Sequence, residues 1–268
     1  MARNLLRAGV AVTVWNRSDA AARRLQAEGA LVAATTRAAL LSAPAAILML
    51  GDSNVVDQVL ERGGRSFDDL VAGRTILCMG TVSPAYSKAL GADIESAGGQ
   101  YVECPVSGSR QPAETAQLVA MAAGTSVAIK TVRPLLEAMC SAIFECGAVP
   151  NALAAKLSAN LFLITMVTGL AEAAHHARTH GVPLGLLQKI IDAGPMASSV
   201  SRAKLDKLVR GDLSAQAAIG DVLMNARLII DAAQGTDKSM HLLPVCERLL
   251  VEAVARGDGD LDMIGVVR

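Results

Sequence analysis

Glu103-Cys104-Pro105-Val106-Ser107-Gly108-Ser109 closes an apolar stretch in mid-chain, and about fifty residues later Lys156 and Asn160 stand four positions apart. A Pro-x-Ser-Gly-Ser run can present backbone N–H groups and two hydroxyls to a carboxylate, so Ser107, Gly108 and Ser109 are candidate substrate ligands. A lysine and an asparagine at i and i+4 share one helix face. There the amine can move a proton while the amide holds a hydroxyl, which makes Lys156 and Asn160 the candidate catalytic pair. The chemistry implied is acid/base work on a small hydroxy or oxo acid. Lysines are mostly exposed, so composition alone reads Lys156 as a surface residue of an amphipathic helix. Its neighbours Ala154, Ala155 and Leu157 allow the other reading, a partly desolvated amine with a lowered pKa.

These residues need elements to carry them. Residues 11–15, 45–50, 74–79 and 100–104 are apolar runs of strand length, and helical spacing over 19–28 and from Pro84 to Ala97 separates them. Ser53 is placed to cap a helix after the second run. Strands alternating with helices predict a parallel, doubly wound sheet, with function at the carboxyl ends of the strands. Asn16-Arg17-Ser18, Leu50-Gly51-Asp52, Gly80-Thr81 and Pro105 to Ser109 all fall at such ends. From Pro150 strand-like alternation stops. One helix is predicted to His180-Gly181, then others at about 184–193, 197–210, 215–234 and 239–256. The expected domains are 1–149 and 150–268, the second all-α and joined to the first by the long helix.

Composition narrows the classes. The 268 residues are 52% hydrophobic and 19% charged, with mean hydropathy +0.39. That richness in apolar surface favours a homodimer or higher homo-oligomer. The 25 basic and 25 acidic residues cancel, and aromatics are 2%, so neither nucleic acid nor an anionic membrane is an expected partner. The run from Leu161 to Ala171 is short for a bilayer and reads as a buried helix. Five cysteines without a Cys-x-x-Cys pair suggest buried thiols and a cytoplasmic location. His176 and His180 have chelating spacing but no acidic partner motif, so a polar helix face is preferred to a metal site.

A dinucleotide-binding sheet starts with a strand, a Gly-x-Gly-x-x-Gly turn and a helix facing the pyrophosphate. Met1 to Gly9 reads as the end of that helix, and no such glycine run occurs in the sequence. The strand and turn either lie outside these residues or have been lost. Without that usually central strand, two sheet edges should be unpaired or re-paired.

Four segments now stand in order: Met1 to Gly9, Trp15-Asn16-Arg17-Ser18, Glu103 to Ser109, and Lys156-Leu157-Ser158-Ala159-Asn160. In these the chain resembles the β-hydroxyacid dehydrogenase family, which includes 3-hydroxyisobutyrate dehydrogenases and glyoxylate/succinic semialdehyde reductases. The resemblance implies a Rossmann-like α/β N-terminal domain, here without its first strand, plus an all-α C-terminal domain. It implies hydride transfer between a nicotinamide cofactor and a small 3-hydroxy acid or its aldehyde or keto acid. Asn16, Arg17 and Ser18 would face the adenosine ribose. An arginine there suits a 2′-phosphate, which favours NADP over NAD. Leu50 and Thr81 would line the cofactor rim, and Lys156 would be the acid/base.

Departures from the family pattern keep alternatives open. Gly80 stands where the family often has serine, Ala159 where a second asparagine is usual, and Pro150-Asn151-Ala152 where glycines are usual. Met224-Asn225 replaces a Lys-Asp pair. An imine-reducing relative, or a non-catalytic oligomeric member that has lost cofactor binding, are the competing expectations.

Overall fold

A computed structural model describes residues 1–233 and 240–267. The chain divides into two compact units, Met1–Lys156 and Leu157–Arg268. The first holds α1 (Ala2–Arg7), β1 (Thr13–Val14), α2 (Asp19–Gln26), β2 (Leu31–Val32), α3 (Thr36–Leu41), β3 (Ala45–Leu48), α4 (Ser53–Leu60) and α5 (Phe67–Val71). It continues with β4 (Thr75–Cys78), α6 (Pro84–Ser96), β5 (Gln100–Glu103), β6 (Val106–Ser107), α7 (Arg110–Glu114), β7 (Leu118–Gly124), α8 (Ser126–Glu137) and β8 (Cys140–Gly147).

The sheet is in two pieces. β1 pairs with β2 in parallel, and a six-stranded sheet runs β3-β4-β5-β7-β6 with β8 against β7. Among the described residues β1 pairs only with β2 and β3 only with β4, so neither has a strand on its other side. The burial of β3 reflects this: Leu48 alone is buried, whereas all of Thr75–Cys78 in β4 is buried on both faces.

The expectation of a purely parallel sheet is corrected. β3, β4 and β5 are parallel, but β7 runs antiparallel to both β5 and β6. The cause is the connection. Only the five-residue α7 lies between β6 and β7, and a parallel crossover needs a dozen or more residues. Two further details differ from the sequence reading. Asp52, not Ser53, caps α4 by accepting from the Asn54 N–H. β1 is confined to two residues of the 11–15 run. α6 follows its signals closely: Ser83 accepts from the Tyr86 N–H and Pro84 opens the first turn.

The second unit is helical. α9 (Asn151–Thr179) begins in the first unit and is followed by α10 (Leu184–Ala193), α11 (Ser199–Arg210), α12 (Ile219–Ala233), α13 (Leu243–Ala255) and a short 3₁₀ turn, Met263–Val266. Gln234 and Ser239, at the expected ends of two helices, lie outside the described residues. Leu157, Ile164, Val167, Ala171 and Ala174 recur at helical spacing on α9 and pack with Val222, Ala226 and Ile229 of α12 and Leu243 and Leu250 of α13. α9 buries one apolar face in this core and leaves another exposed. Phe162 is 69% exposed, and by length and composition alone the helix could cross a membrane.

The end of the chain is held by a buried ion pair. Lys204 Nζ on α11 donates to both carboxylate oxygens of Asp262, at 2.7 and 2.8 Å. Asp262 is fully buried and also accepts from the Gln216 and Ile264 N–H groups. Burial pushes the Asp262 carboxyl up, but Lys204 and these N–H groups outweigh it and hold it below the usual range. The stabilisation is complete above the ordinary aspartate pKa and is lost as pH falls through the depressed value. Asp262→Ala strands the Lys204 ammonium and should cost about 3–5 kcal/mol, read as a lowered denaturant midpoint.

Candidate active site

Three groups of expected site residues take definite positions, and each is set by the end of a strand. The first follows β1. Asn16 Nδ2 donates to the Ser18 backbone oxygen (3.0 Å) and to Ser18 Oγ (2.9 Å), closing the turn that leads into α2. Ser18 is the N-cap residue, but its hydroxyl does not bond the helix. Arg17 is exposed and has no ion pair among the described residues. A cavity of about 450 Å³ opens beside this turn, lined by Trp15, Asn16, Asp19, Arg23, Gln26 and Val32 with neighbouring alanines.

The second group lies where β3 and β4 end. The Leu50 carbonyl oxygen abuts Gly80 so closely that a Cβ on Gly80 would lie 1.7 Å from it. This is the physical reason for the glycine at a position where the resemblance expects serine. The contact sets Leu50 beside the Gly80-Thr81 exit, and both residues are half-buried.

The third group is the 103–109 segment, which is more ordered than a simple turn. Val106 and Ser107 pair with Ala120 and Val119 of β7, so the chain leaves β5 and is caught at once by a second strand. Gly108 then takes φ +131°, and a Cβ there would meet Leu118 Cδ2 at 2.8 Å. Ser109 precedes α7 without a side-chain cap bond. Neither the Ser107 nor the Ser109 hydroxyl has a partner among the described residues, so both are available to a ligand oxygen.

Lys156 is half-buried on α9, two turns into the helix, and burial is the cause that lowers its pKa. No carboxylate pairs with it among the described residues. Burial without a partner disfavours the ammonium and so brings the amine toward the working pH, where it can both give and take a proton. Asn160, one turn later, belongs to the second unit. Its Nδ2 donates to Asn225 Oδ1 on α12 at 2.9 Å, and Asn225 Nδ2 donates to the Asp221 carbonyl. The Asn160 amide is therefore oriented, with its Oδ1 left over as an acceptor.

Sequence reasoning did not assign Glu103 or Asn225. Glu103 is 1% exposed, and burial raises its pKa against the opposing hydrogen bonds from Ser87 and the Leu153 and Ala152 N–H groups. A signal did exist: a carboxylate directly after the buried pair Tyr101-Val102 must have a partner. For Asn225 the signal was its place beside Met224, where the resemblance expects a Lys-Asp pair. Elsewhere, His176 and His180 stack with ring centroids 4.1 Å apart, and no cluster of three metal-ligating side chains occurs among the described residues. All five cysteines are free thiols, and four are buried.

Comparison with known proteins agrees with this architecture. Residues 1–147 match the NAD binding domain of 6-phosphogluconate dehydrogenase, and residues 151–268 match the NAD-binding region of NADP-dependent 3-hydroxyisobutyrate dehydrogenase. Glyoxylate/succinic semialdehyde reductase 1 of Arabidopsis thaliana is 27% identical over 267 residues, covering 100% of this chain and 92% of the relative. A 3-hydroxyisobutyrate dehydrogenase from Salmonella typhimurium superposes with TM-score 0.89 at 24% identity, over 99% of this chain and 93% of that one. An imine reductase from Pseudomonas sp. superposes with TM-score 0.63 at 23% identity, over 99% and 92%. The chain belongs to the β-hydroxyacid dehydrogenase family, NAD(P)-dependent oxidoreductases acting on CH–OH groups.

The Gly80 contact gives a direct test. Gly80→Ser, which restores the residue the resemblance expects, should destabilise by about 1–3 kcal/mol or more through overpacking. Thermal unfolding of the variant beside the parent chain checks it.

Proposed function

We propose that the chain interconverts a small 3-hydroxy acid and its aldehyde or keto acid, with NADP as the preferred cofactor and Lys156 as the acid/base. The observation that carries this reading is the half-buried, unpaired Lys156 on a helix whose first turn is tied to the end of β5. When bound, the nicotinamide supplies or accepts the hydride. In the reductive direction Lys156 gives a proton to the carbonyl oxygen as it becomes a hydroxyl; in the oxidative direction the neutral amine removes it. Asn160 Oδ1 accepts from the hydroxyl and fixes its orientation. Ser107 and Ser109 donate to the substrate carboxylate on either side of Gly108.

The strand-end groups are compatible with the proposed cofactor. The cavity beside Asn16, followed by the unpaired Arg17, suits the ribose end, and an arginine favours a 2′-phosphate. Leu50 and Thr81 line the rim nearer the substrate loop. The name of the Arabidopsis relative adds glyoxylate and succinic semialdehyde, whose reduced forms are a 2-hydroxy and a 4-hydroxy acid, as the aldehydes to try beside those of 3-hydroxy acids.

Imine reduction is the second reading. Met224 favours it, being 42% exposed and uncharged where the resemblance expects a lysine. Turnover of a cyclic imine with none of either aldehyde would select it.

Lys156→Ala should lower kcat by about 10²–10⁴-fold in NADPH-linked aldehyde reduction. Full turnover in that variant removes the acid/base assignment. Arg17→Ala should raise KM for NADPH by about tenfold or more while leaving NADH nearly unaffected, since only the former carries the phosphate. Equal effects on the two cofactors would contradict the NADP reading.

A further inference from the structure

We propose that Glu103 is a positioning residue for the reaction: its buried carboxylate locks the first turn of α9, and so Lys156, to the start of the carboxylate-binding loop. The inference rests on the Lys156 assignment above. It starts from where the Glu103 hydrogen bonds go. Oε1 accepts from the Leu153 N–H at 2.7 Å, and the neighbouring Ala152 N–H helps to offset the burial of the same carboxylate. Oε2 accepts from the Ser87 hydroxyl at 2.5 Å, and Ser87 Oγ lies 2.8 Å from the Tyr101 hydroxyl. Glu103, Ser87 and Tyr101 are each at most 1% exposed.

The geometry joins two otherwise separate parts. The backbone of Glu103 ends β5 and opens the segment that leads to Ser107, Gly108 and Ser109. Its side chain holds the first turn of α9, and Lys156 follows Leu153 by three residues, on the same side of the helix. Three of the first four α9 N–H groups have definite acceptors: Asn151 bonds Ala148, Leu153 bonds Glu103 and Ala154 bonds Pro150. Ala152 also packs with Met121 and Ala123 of β7, so the turn is clamped from two directions. No ion pair joins Glu103 to Lys156. Glu103 acts by fixing the helix, not by its charge on the amine. Displacing a catalytic group by about 1 Å can cost 10²-fold in rate, so such a clamp matters to turnover.

The test uses the full chain and two variants. Glu103→Met fills similar space without an acceptor. Glu103→Gln keeps a carbonyl for the Leu153 N–H, and the Ser87 hydroxyl can turn to accept from the new amide. Three quantities are read: kcat for NADPH-linked reduction of succinic semialdehyde, amide exchange over residues 151–156, and the rate of reductive methylation of Lys156. Glu103→Met should lower kcat by about 10–100-fold with KM for NADPH little changed, and should speed exchange and methylation about tenfold. Glu103→Gln should recover kcat to within about threefold of the parent, as a matter of geometry rather than charge. If Glu103→Met fails to fold, Ser87→Ala loosens the carboxylate from one side and should show the same exchange signature with a smaller loss of kcat. Parent-like exchange and methylation in Glu103→Met or Ser87→Ala would overturn the proposal, as would equal damage from Met and Gln. Lys156→Ala run alongside separates the two claims. If it retains turnover the acid/base assignment fails, while the exchange readout still decides whether Glu103 anchors the helix.

Discussion

The hydrogen bond from the Leu153 N–H to the Glu103 carboxylate ties the end of β5 to the first turn of α9. A helix N-terminus leaves N–H groups without partners, and one left unpaired in a buried place costs about 1–3 kcal/mol. A buried carboxylate is costly for the same reason. Each group here satisfies the other, so neither β5 nor the start of α9 can shift without exposing both. The segment that carries Ser107 and the helix that carries Lys156 therefore share one fixed point.

A second constraint acts at the other strand ends. The sheet bends the exits of β3 and β4 together until only a glycine fits at position 80, which leaves Leu50 and Thr81 side by side. The β1 exit, with Asn16, Arg17 and Ser18, belongs to the separate two-stranded piece. The cofactor-side candidates thus rest on two sheet fragments with open edges. The substrate-side candidates rest on the mostly buried β5, the short β6 and a long helix. In the second unit, the Lys204–Asp262 pair and the α9, α12 and α13 core hold Asn160 against Asn225.

Much of this is legible in the amino-acid sequence. Strong periodicity placed α6, α9, α10 and α11 within a residue or two, because proline, serine and glycine signals bracket them. The four strand-end loops were legible for the same reason. The 110–149 region was not. Leu118-Val-Ala-Met-Ala-Ala-Gly124 is alanine-rich and carries no period, so its antiparallel strand follows from the short α7 connection and not from local preference. The candidate site was half legible. Lys156, Asn160 and the Ser-Gly-Ser run are motif residues with recognisable spacing. Glu103 and Asn225 act through partners about fifty and sixty-five residues away in sequence, and no window of local pattern contains such a pair.

The central claim is that a half-buried lysine moves the proton. The most direct measurement is the pH dependence of kcat for NADPH-linked reduction of succinic semialdehyde. Burial lowers the Lys156 pKa, and reduction needs the protonated amine. The rate should hold at lower pH and fall as pH rises, with its midpoint below the usual lysine range, and that alkaline limb should vanish in Lys156→Ala. A parent profile flat through the alkaline range, or the same limb in the variant, would contradict the account.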